Sequence, residues 1–199
     1  MHLRNIVQLT VMAVALGATA HGQILIAFGQ QPTLGEYRNN LAPFVPSPEH
    51  AVDKMLEVAS LKPGETLYDL GCGDGRILIA AAAKYKVKGV GIEISDHLAR
   101  TALERVKKAG LQSQVKIIHG DFMKTDLSDA NVVTLYLATA ANDTLRPNLE
   151  RYLKPLTRVV SYDYPIPGWK PIETTETEGR SSAVHIIYLY QVPTSIIKK

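Results

Sequence analysis

The chain has a single cysteine and no block of consecutive basic residues longer than a pair. One cysteine excludes an internal disulfide, and no motif places a partner base beside Cys72, which favours a small turn residue over a catalytic thiol. A net charge of only +3 gives no electrostatic reason to expect nucleic acid as the main partner. The six histidines show neither H-E-x-x-H nor a Cys/His ligand spacing, so we expect no metal site.

The length and composition indicate one globular domain with a short N-terminal appendage. The chain has 199 residues, of which 46% are hydrophobic. Residues 6–20 are almost wholly apolar, and Ala18-Thr19-Ala20 resembles a signal-peptidase site. Because apolar residues resume at 24–28, a membrane anchor is an alternative, and a loose amphipathic helix is a third. We expect residues 1–28 to be a signal peptide or membrane anchor, 29–44 a linker, and 45–193 the catalytic domain.

From residue 47 onward, helix-like and strand-like runs alternate along the chain. Ser47 before Pro48 predicts the cap of a first helix, and Ser95 predicts the cap of another that Gly110 ends. A further helix is predicted to begin at Asn142 or Asp143. Strands are predicted at 66–70, 88–93, 115–119, 131–137 and 158–162, with a hairpin formed by 170–177 and 183–191. This pattern predicts an α/β fold: a Rossmann-like, doubly wound, seven-stranded sheet that ends in an antiparallel hairpin.

The most informative segment is the nonapeptide 68–76, Y-D-L-G-C-G-D-G-R. Glycines at 71, 73 and 75 allow a tight turn and a close approach of the backbone to a ligand. The helix that follows would direct its free N–H groups at that ligand. A dinucleotide fingerprint would need its third glycine where Arg76 stands, which excludes that pattern.

The segment reads acid-x-G-x-G-x-G from Asp69, which resembles motif I of the class I S-adenosylmethionine-dependent methyltransferases. The resemblance implies S-adenosylmethionine (SAM) as cofactor, held by Asp69, Gly71, Gly73 and Gly75. The SAM ammonium suits the carboxylate of Asp69, and the SAM carboxylate suits backbone N–H groups.

Two further acids follow successive predicted strands. Glu93 lies about twenty residues past the glycine loop, where a ribose-binding acid is expected in such folds. Asp121 and Phe122 follow the third strand, and the resemblance implies that Asp121 accepts from the adenine amine while Phe122 contacts the ring. Open α/β sheets bind ligands along this edge, so Asp69, Glu93 and Asp121 are predicted to share one site.

A longer resemblance extends over residues 44–165. It is carried by Phe44-Val45-Pro46-Ser47-Pro48, Thr134-Leu135-Tyr136-Leu137 and the segment from Leu145-Arg146-Pro147 to Pro155. These segments resemble the lysine methyltransferases that modify the ATP synthase c-ring protein and the adenine nucleotide translocase, and more distantly the Dot1-type enzymes. Members of that family also carry an N-terminal hydrophobic segment. The resemblance implies a protein-lysine acceptor, which could belong to a membrane protein.

Tyr136, at the end of the fourth strand, is the leading candidate for the acceptor site, although a packing role at the sheet edge is an equal alternative. Asp163 and Trp169 are weaker candidates. Residues 138–141 depart from the family pattern: they predict a loop of small residues where the acceptor should enter. Residues 162–165 depart from that pattern as well.

Two other functions stay open at this point: methylation of a small molecule or lipid, and membrane-tethered SAM binding without turnover. For location, we expect a retained anchor with the catalytic domain on the cytoplasmic side, because SAM is an intracellular cofactor. Export after signal-peptide cleavage is the alternative.

Overall fold

The computed structural model describes residues 44–178 and 184–197. The predicted signal peptide or anchor, residues 1–28, lies outside the described residues, as does the predicted linker apart from Phe44. The domain boundaries at 45 and 193 stay predictions. Within the described ranges, every helix is too short or too polar to cross a membrane.

Helices and strands alternate through the described residues up to the final pair of strands. In chain order they are α1 (Glu49–Val58), β1 (Thr66–Leu70), α2 (Arg76–Tyr85), β2 (Lys88–Glu93), α3 (Asp96–Lys108), β3 (Val115–His119), a short 3-10 helix (Phe122–Lys124), β4 (Val132–Leu135), α4 (Thr139–Tyr152), β5 (Arg158–Tyr162), β6 (Glu173–Glu178) and β7 (Val184–Gln191).

The seven strands form one mixed sheet in the order β3-β2-β1-β4-β5-β7-β6. The five strands from β1 to β5 pair in parallel, whereas β7 runs antiparallel to both β5 and β6. This confirms the predicted α/β architecture and its C-terminal antiparallel hairpin. The chain builds outward from β1 to β3 and then returns to place β4 on the other side of β1. That reversal opens a crevice at the carboxyl ends of β1 and β4.

Helices cover both faces of the sheet. On one face, α1, α2 and α3 bury apolar residues such as Leu56, Leu78 and Ala102 against side chains that include Leu67 of β1. On the other face, α4 buries Leu145 and Leu149 against strand residues that include Val133 and Val159. Full burial of one such leucine contributes about 1.5–3 kcal/mol, so both layers hold the sheet and its carboxyl edge in place.

Two helix starts differ in how well the sequence predicts them. Ser95 caps α3 as expected, because its hydroxyl accepts a hydrogen bond from the Leu98 N–H at 3.4 Å. The expected cap at Ser47 is wrong: Pro48 is the N-cap of α1, and no side-chain hydrogen bond caps that helix. Ser47 is instead buried beside the glycine loop.

The start of α4 also differs from the prediction. The helix begins at Thr139, upstream of Asn142, with Ala138 as its N-cap and no side-chain capping bond. Residues 138–141 are therefore not a loop, because this alanine-rich stretch has high helix propensity and continues the helix toward the sheet edge. Asn142 becomes a buried residue on the inner side of α4.

Candidate active site

A cleft of about 260 Å³ opens at the carboxyl ends of β1, β2 and β4. It brings together six of the predicted site residues: Asp69, Gly71, Gly73, Glu93, Phe122 and Tyr136. Gly75 and Asp121 lie beside the cleft without lining it. The Asp121 carboxylate accepts from the Met123 N–H at 2.8 Å and so caps the short 3-10 helix.

The three loop glycines all have a positive φ, of 77° at Gly71, 53° at Gly73 and 77° at Gly75. At Gly73 a Cβ atom would stand 2.5 Å from Cε2 of Phe44, so a side chain at this position would displace the Phe44 ring. A Cβ at Gly75 would lie 3.2 Å from the Cβ of Ala102, so Gly75 lets the loop pack closely on α3. The positive φ favours glycine at position 73, and the Phe44 ring adds a steric reason.

The N–H groups of two loop glycines are already paired within the protein. Gly71 donates to the carbonyl of Ile92 at 2.9 Å, and Gly73 donates to Glu93 Oε2 at 2.8 Å. In this structure these two N–H groups are therefore not free to donate to a ligand, although the glycines still allow a close approach of the backbone.

Asp69 is a buried carboxyl at the end of β1, only 3% exposed. Its Oδ1 accepts a hydrogen bond from the Thr134 hydroxyl at 2.8 Å. The pKa of Asp69 is raised to about 7, chiefly by burial; the Thr134 hydrogen bond opposes this rise, and the nearby acids Glu93 and Asp74 add to it. Such a carboxyl is stabilised in its ionised form by a cationic ligand, and the ammonium of SAM fits this requirement.

Glu93 ties the glycine loop to the start of α3. Its Oε2 accepts from the Gly73 N–H at 2.8 Å, and its Oε1 accepts from the Ser95 N–H at 2.9 Å. Each carboxylate oxygen can accept more than one hydrogen bond, so Glu93 can also accept from the hydroxyls of a ribose in the cleft.

A cluster of charged side chains that the sequence did not predict holds residues 44–47 at the cleft. Asp74 accepts from Arg76 at 2.7 Å and 2.9 Å and forms an ion pair with Arg105. Burial raises the pKa of Asp74, but the hydrogen bonds and charges of the two arginines outweigh it and lower that pKa. Arg76 also donates to the Ser47 carbonyl at 2.8 Å, which holds residues 44–47 against the cleft. The sequence signal that could have indicated this contact is the Phe44–Pro48 segment, which is part of the family resemblance.

Tyr136 follows β4 and lines the cleft. Its ring centroid lies 4.8 Å from that of Tyr162 and 6.1 Å from that of Tyr164. Of the weaker candidates, Trp169 is 5% exposed and donates to Glu150 at 2.9 Å, which indicates a packing role. Asp163 lies nearer the cleft. Burial is the main cause that raises the pKa of Tyr136, and the negative charge of Asp163 raises it further.

No metal motif stands in the sequence, and the described residues contain no group of three or more His, Cys, Asp or Glu side chains able to hold a metal ion.

Comparison with known proteins identifies the family. The sequence profile described as the ANTKMT methyltransferase domain matches residues 69–173, just over half of the chain. The protein-lysine N-methyltransferase of Saccharolobus islandicus is 46% identical over 151 residues, which cover 75% of this chain and 93% of the relative. The adenine nucleotide translocase lysine N-methyltransferase of Mus musculus is 32% identical over 65% of this chain, which spans only 56% of that protein.

A solved structure shares both the fold and much of the sequence. The RNA methyltransferase from Salinibacter ruber, in complex with S-adenosyl-L-homocysteine, is 42% identical with a TM-score of 0.73, over 78% of this chain and 98% of that one. Together with the profile match, this shows that the chain is a methyltransferase and belongs to the ANTKMT methyltransferase domain family.

Proposed function

We propose that this protein transfers a methyl group from SAM to the ε-amine of lysine residues in proteins. The observation that carries the acceptor class is the 46% identity to the Saccharolobus protein-lysine N-methyltransferase across 93% of its length. The cleft supports the donor, because it combines a buried carboxyl, a glycine-rich loop and a second acid at the end of the next strand.

Each end of SAM has a suitable partner in the cleft. Asp69 binds the ammonium, and Glu93 accepts from the ribose hydroxyls. The Ser47 hydroxyl and the Arg76 guanidinium line the cleft and suit the SAM carboxylate, since the N–H groups of Gly71 and Gly73 are paired internally. Phe122 lines the same cleft and suits the adenine ring, with Asp121 immediately before it.

When bound, SAM supplies an electrophilic methyl group on a sulfonium, so the protein has little acid–base chemistry to perform. Its task is to hold a neutral amine in line with that methyl, and positioning of this kind lowers the barrier by several kcal/mol. A buried, aromatic environment disfavours the charged form of lysine and therefore supports loss of its proton. Tyr136, which lines the cleft, is the leading residue for orienting the amine.

Transfer of radioactivity from methyl-tritiated SAM to a cell extract tests this proposal. The full chain is incubated with the extract, which is then separated into protein, RNA and organic-soluble fractions. Label in the protein fraction, lost with the Asp69→Asn variant, supports the proposal. Label in RNA, the acceptor named for the Salinibacter relative, or in the organic fraction would contradict it. Cofactor binding with no transfer would indicate a binding protein without turnover.

We also propose that residues 6–28 remain attached and hold the catalytic domain at a membrane, on the cytoplasmic side. The support is the second apolar patch at 24–28, which lengthens the segment beyond an ordinary signal-peptide core. The apolar N-terminus resembles an export signal, whereas SAM is an intracellular cofactor, and a retained anchor is compatible with both. It would also bring the cleft near membrane-embedded acceptors.

A further inference from the structure

Tyr162, the last residue of β5, has a buried hydroxyl that pairs with no group of the described residues. The side chain is 0% exposed, and among the described residues its Oη has no hydrogen-bond partner. Buried polar groups in native proteins are nearly always paired, so this hydroxyl, next to the cleft-lining Tyr136, has a hydrogen-bonding capacity that a ligand can use.

The hydroxyl belongs to a cluster of three aromatic rings at the sheet edge. The Tyr136 ring, which lines the cleft, meets the Tyr162 ring edge to face at 4.8 Å and 65°. The Tyr164 ring lies roughly parallel to Tyr136 at 6.1 Å and 27°. Tyr164 is 39% exposed, so the cluster reaches from the cleft to the protein surface.

Neighbouring elements hold this tyrosine cluster (Tyr136, Tyr162 and Tyr164) in position. Behind it, the His185 ring of β7 stacks on Tyr162 at 5.4 Å, and its Nδ1 lies 2.8 Å from the Asp163 carboxylate. On the other side, the carbonyl of Tyr164 accepts from the Ser161 hydroxyl at 2.6 Å and from the Asn142 amide at 3.1 Å. Side chains from α4, β5 and β7 therefore fix the tyrosines at the end of β5.

We propose that the tyrosine cluster is the subsite for the acceptor amine, with the Tyr162 hydroxyl accepting a hydrogen bond from the lysine ε-amine. This inference rests on the proposed function and assigns its acceptor site. The lysine side chain enters between the exposed edge of Tyr164 and the ring of Tyr136. The hydrogen bond to Tyr162 then fixes the nitrogen with its lone pair directed at the cleft.

The methyl transfer at this subsite is balanced without any further reagent. The nitrogen lone pair forms the new N–CH₃ bond while the S–CH₃ bond breaks and leaves its electron pair on sulfur, as a neutral thioether. The lysine ammonium releases one proton to water at the exposed edge of the cluster before this step, and the methylated product leaves as an ammonium. Burial, followed by the charge of Asp163, raises the pKa of Tyr162 to about 12, so this phenol keeps its proton throughout.

The Tyr162→Phe variant tests the subsite, because it keeps the ring and removes only the hydroxyl. We expect an unchanged or higher melting temperature, since no protein group loses a partner, and an unchanged SAM dissociation constant. The kcat/KM for acceptor protein should fall about tenfold, the value of one hydrogen bond. The matched control is Tyr190→Phe: that hydroxyl is buried but accepts from the Ile166 N–H at 3.0 Å. Its loss should lower the melting temperature and leave kcat/KM unchanged.

A binding measurement separates this inference from the proposed function. The full chain, labelled with 3-fluorotyrosine and saturated with S-adenosylhomocysteine, is titrated with n-butylamine or n-butanol and followed by fluorine NMR. We expect n-butylamine alone to shift the Tyr136 and Tyr162 resonances, assigned from the phenylalanine variants. Absence of that shift, or wild-type kcat/KM in Tyr162→Phe while lysine is labelled, overturns the subsite and leaves the proposed function standing. An amine-specific shift with label only in RNA supports the subsite and overturns the protein-lysine acceptor.

Discussion

The Asp69 carboxyl links pH to both stability and cofactor binding. Its pKa in the folded protein is about 7, against an ordinary value of 3.8, because burial disfavours the charge. The folded state therefore holds this proton more tightly than the unfolded state. The stability that protonated Asp69 contributes is complete below pH 4 or so, and is lost as the pH rises from about 4 to about 7.

The same shift predicts how SAM affinity depends on pH. In the proposed site the SAM ammonium pairs with the ionised carboxylate of Asp69, and with a pKa of about 7 the ionised fraction changes roughly tenfold between pH 6 and pH 8. We expect SAM to bind about tenfold more weakly at pH 6 than at pH 8, as measured by isothermal titration calorimetry. Asp69→Asn should bind weakly at both pH values. If Asp69→Asn kept the wild-type dependence of SAM affinity on pH, Asp69 would not be the partner of the ammonium.

Substitutions at Glu93 and Asp121 should weaken SAM binding but differ in their effect on stability. Alanine at either position removes a proposed charge-assisted hydrogen bond to SAM, which corresponds to roughly tenfold to hundredfold in affinity. Glu93→Ala also leaves the N–H groups of Gly73 and Ser95 without their partner, whereas Asp121→Ala frees only that of Met123. Thermal denaturation should therefore show the larger loss in melting temperature for Glu93→Ala. Unchanged SAM affinity in both variants would contradict these two cofactor contacts.

At the scale of elements, the regular strands are predictable and the unmarked helix starts are not. The bounds of β1, β3 and β5 follow directly from apolar, β-branched runs between turn residues. The start of α4 carries no capping side chain, so only the helix propensity of its alanines marks the helix ahead of Asn142. Ser47-Pro48 resembles a cap, but Arg76 binds the Ser47 carbonyl and Ser47 faces the cleft instead.

The contact between the glycine loop and the segment before α1 can be tested with a double-mutant cycle. Alanine at Gly73 would place its Cβ 2.5 Å from the Phe44 ring and would also keep a φ of 53°, which L-residues rarely adopt. We expect Gly73→Ala to lower the melting temperature and SAM affinity. In a Phe44→Ala background the loss should be smaller, because only the backbone strain remains. Equal losses in both backgrounds, measured by thermal denaturation, would show that Phe44 does not constrain this position.

At the scale of the whole molecule, the sequence predicted which residues meet at the ends of β1 and β2 better than which residues surround Tyr136. Asp69, Glu93 and the glycines lie at strand ends in a fixed spacing, so periodicity alone brings them to one edge. The proposed acceptor side combines Tyr136 and Tyr162, which meet when β4 pairs with β5, and His185, which joins them when the hairpin strand β7 pairs with β5. No local pattern in the sequence records these pairings.

The retained anchor predicts the mass and location of the mature protein. Intact-mass analysis of fractionated cells should find the full-length chain in the membrane pellet, because 6–28 would hold it there. The control is a chain truncated before residue 29, which should move to the supernatant. A species that begins at His21 in an exported fraction would show cleavage after Ala20 and contradict the anchor.

The central claim, methyl transfer to protein lysine, is tested most directly by locating the transferred methyl group. The full chain is incubated with cell extract and SAM that carries a trideuterated methyl group, and protein digests and RNA nucleosides are analysed by tandem mass spectrometry. We predict trideuteromethyl groups on lysine ε-amines, absent from a parallel reaction with Asp69→Asn. Trideuteromethyl groups on RNA bases or on other side chains, with lysine unlabelled, would contradict the claim.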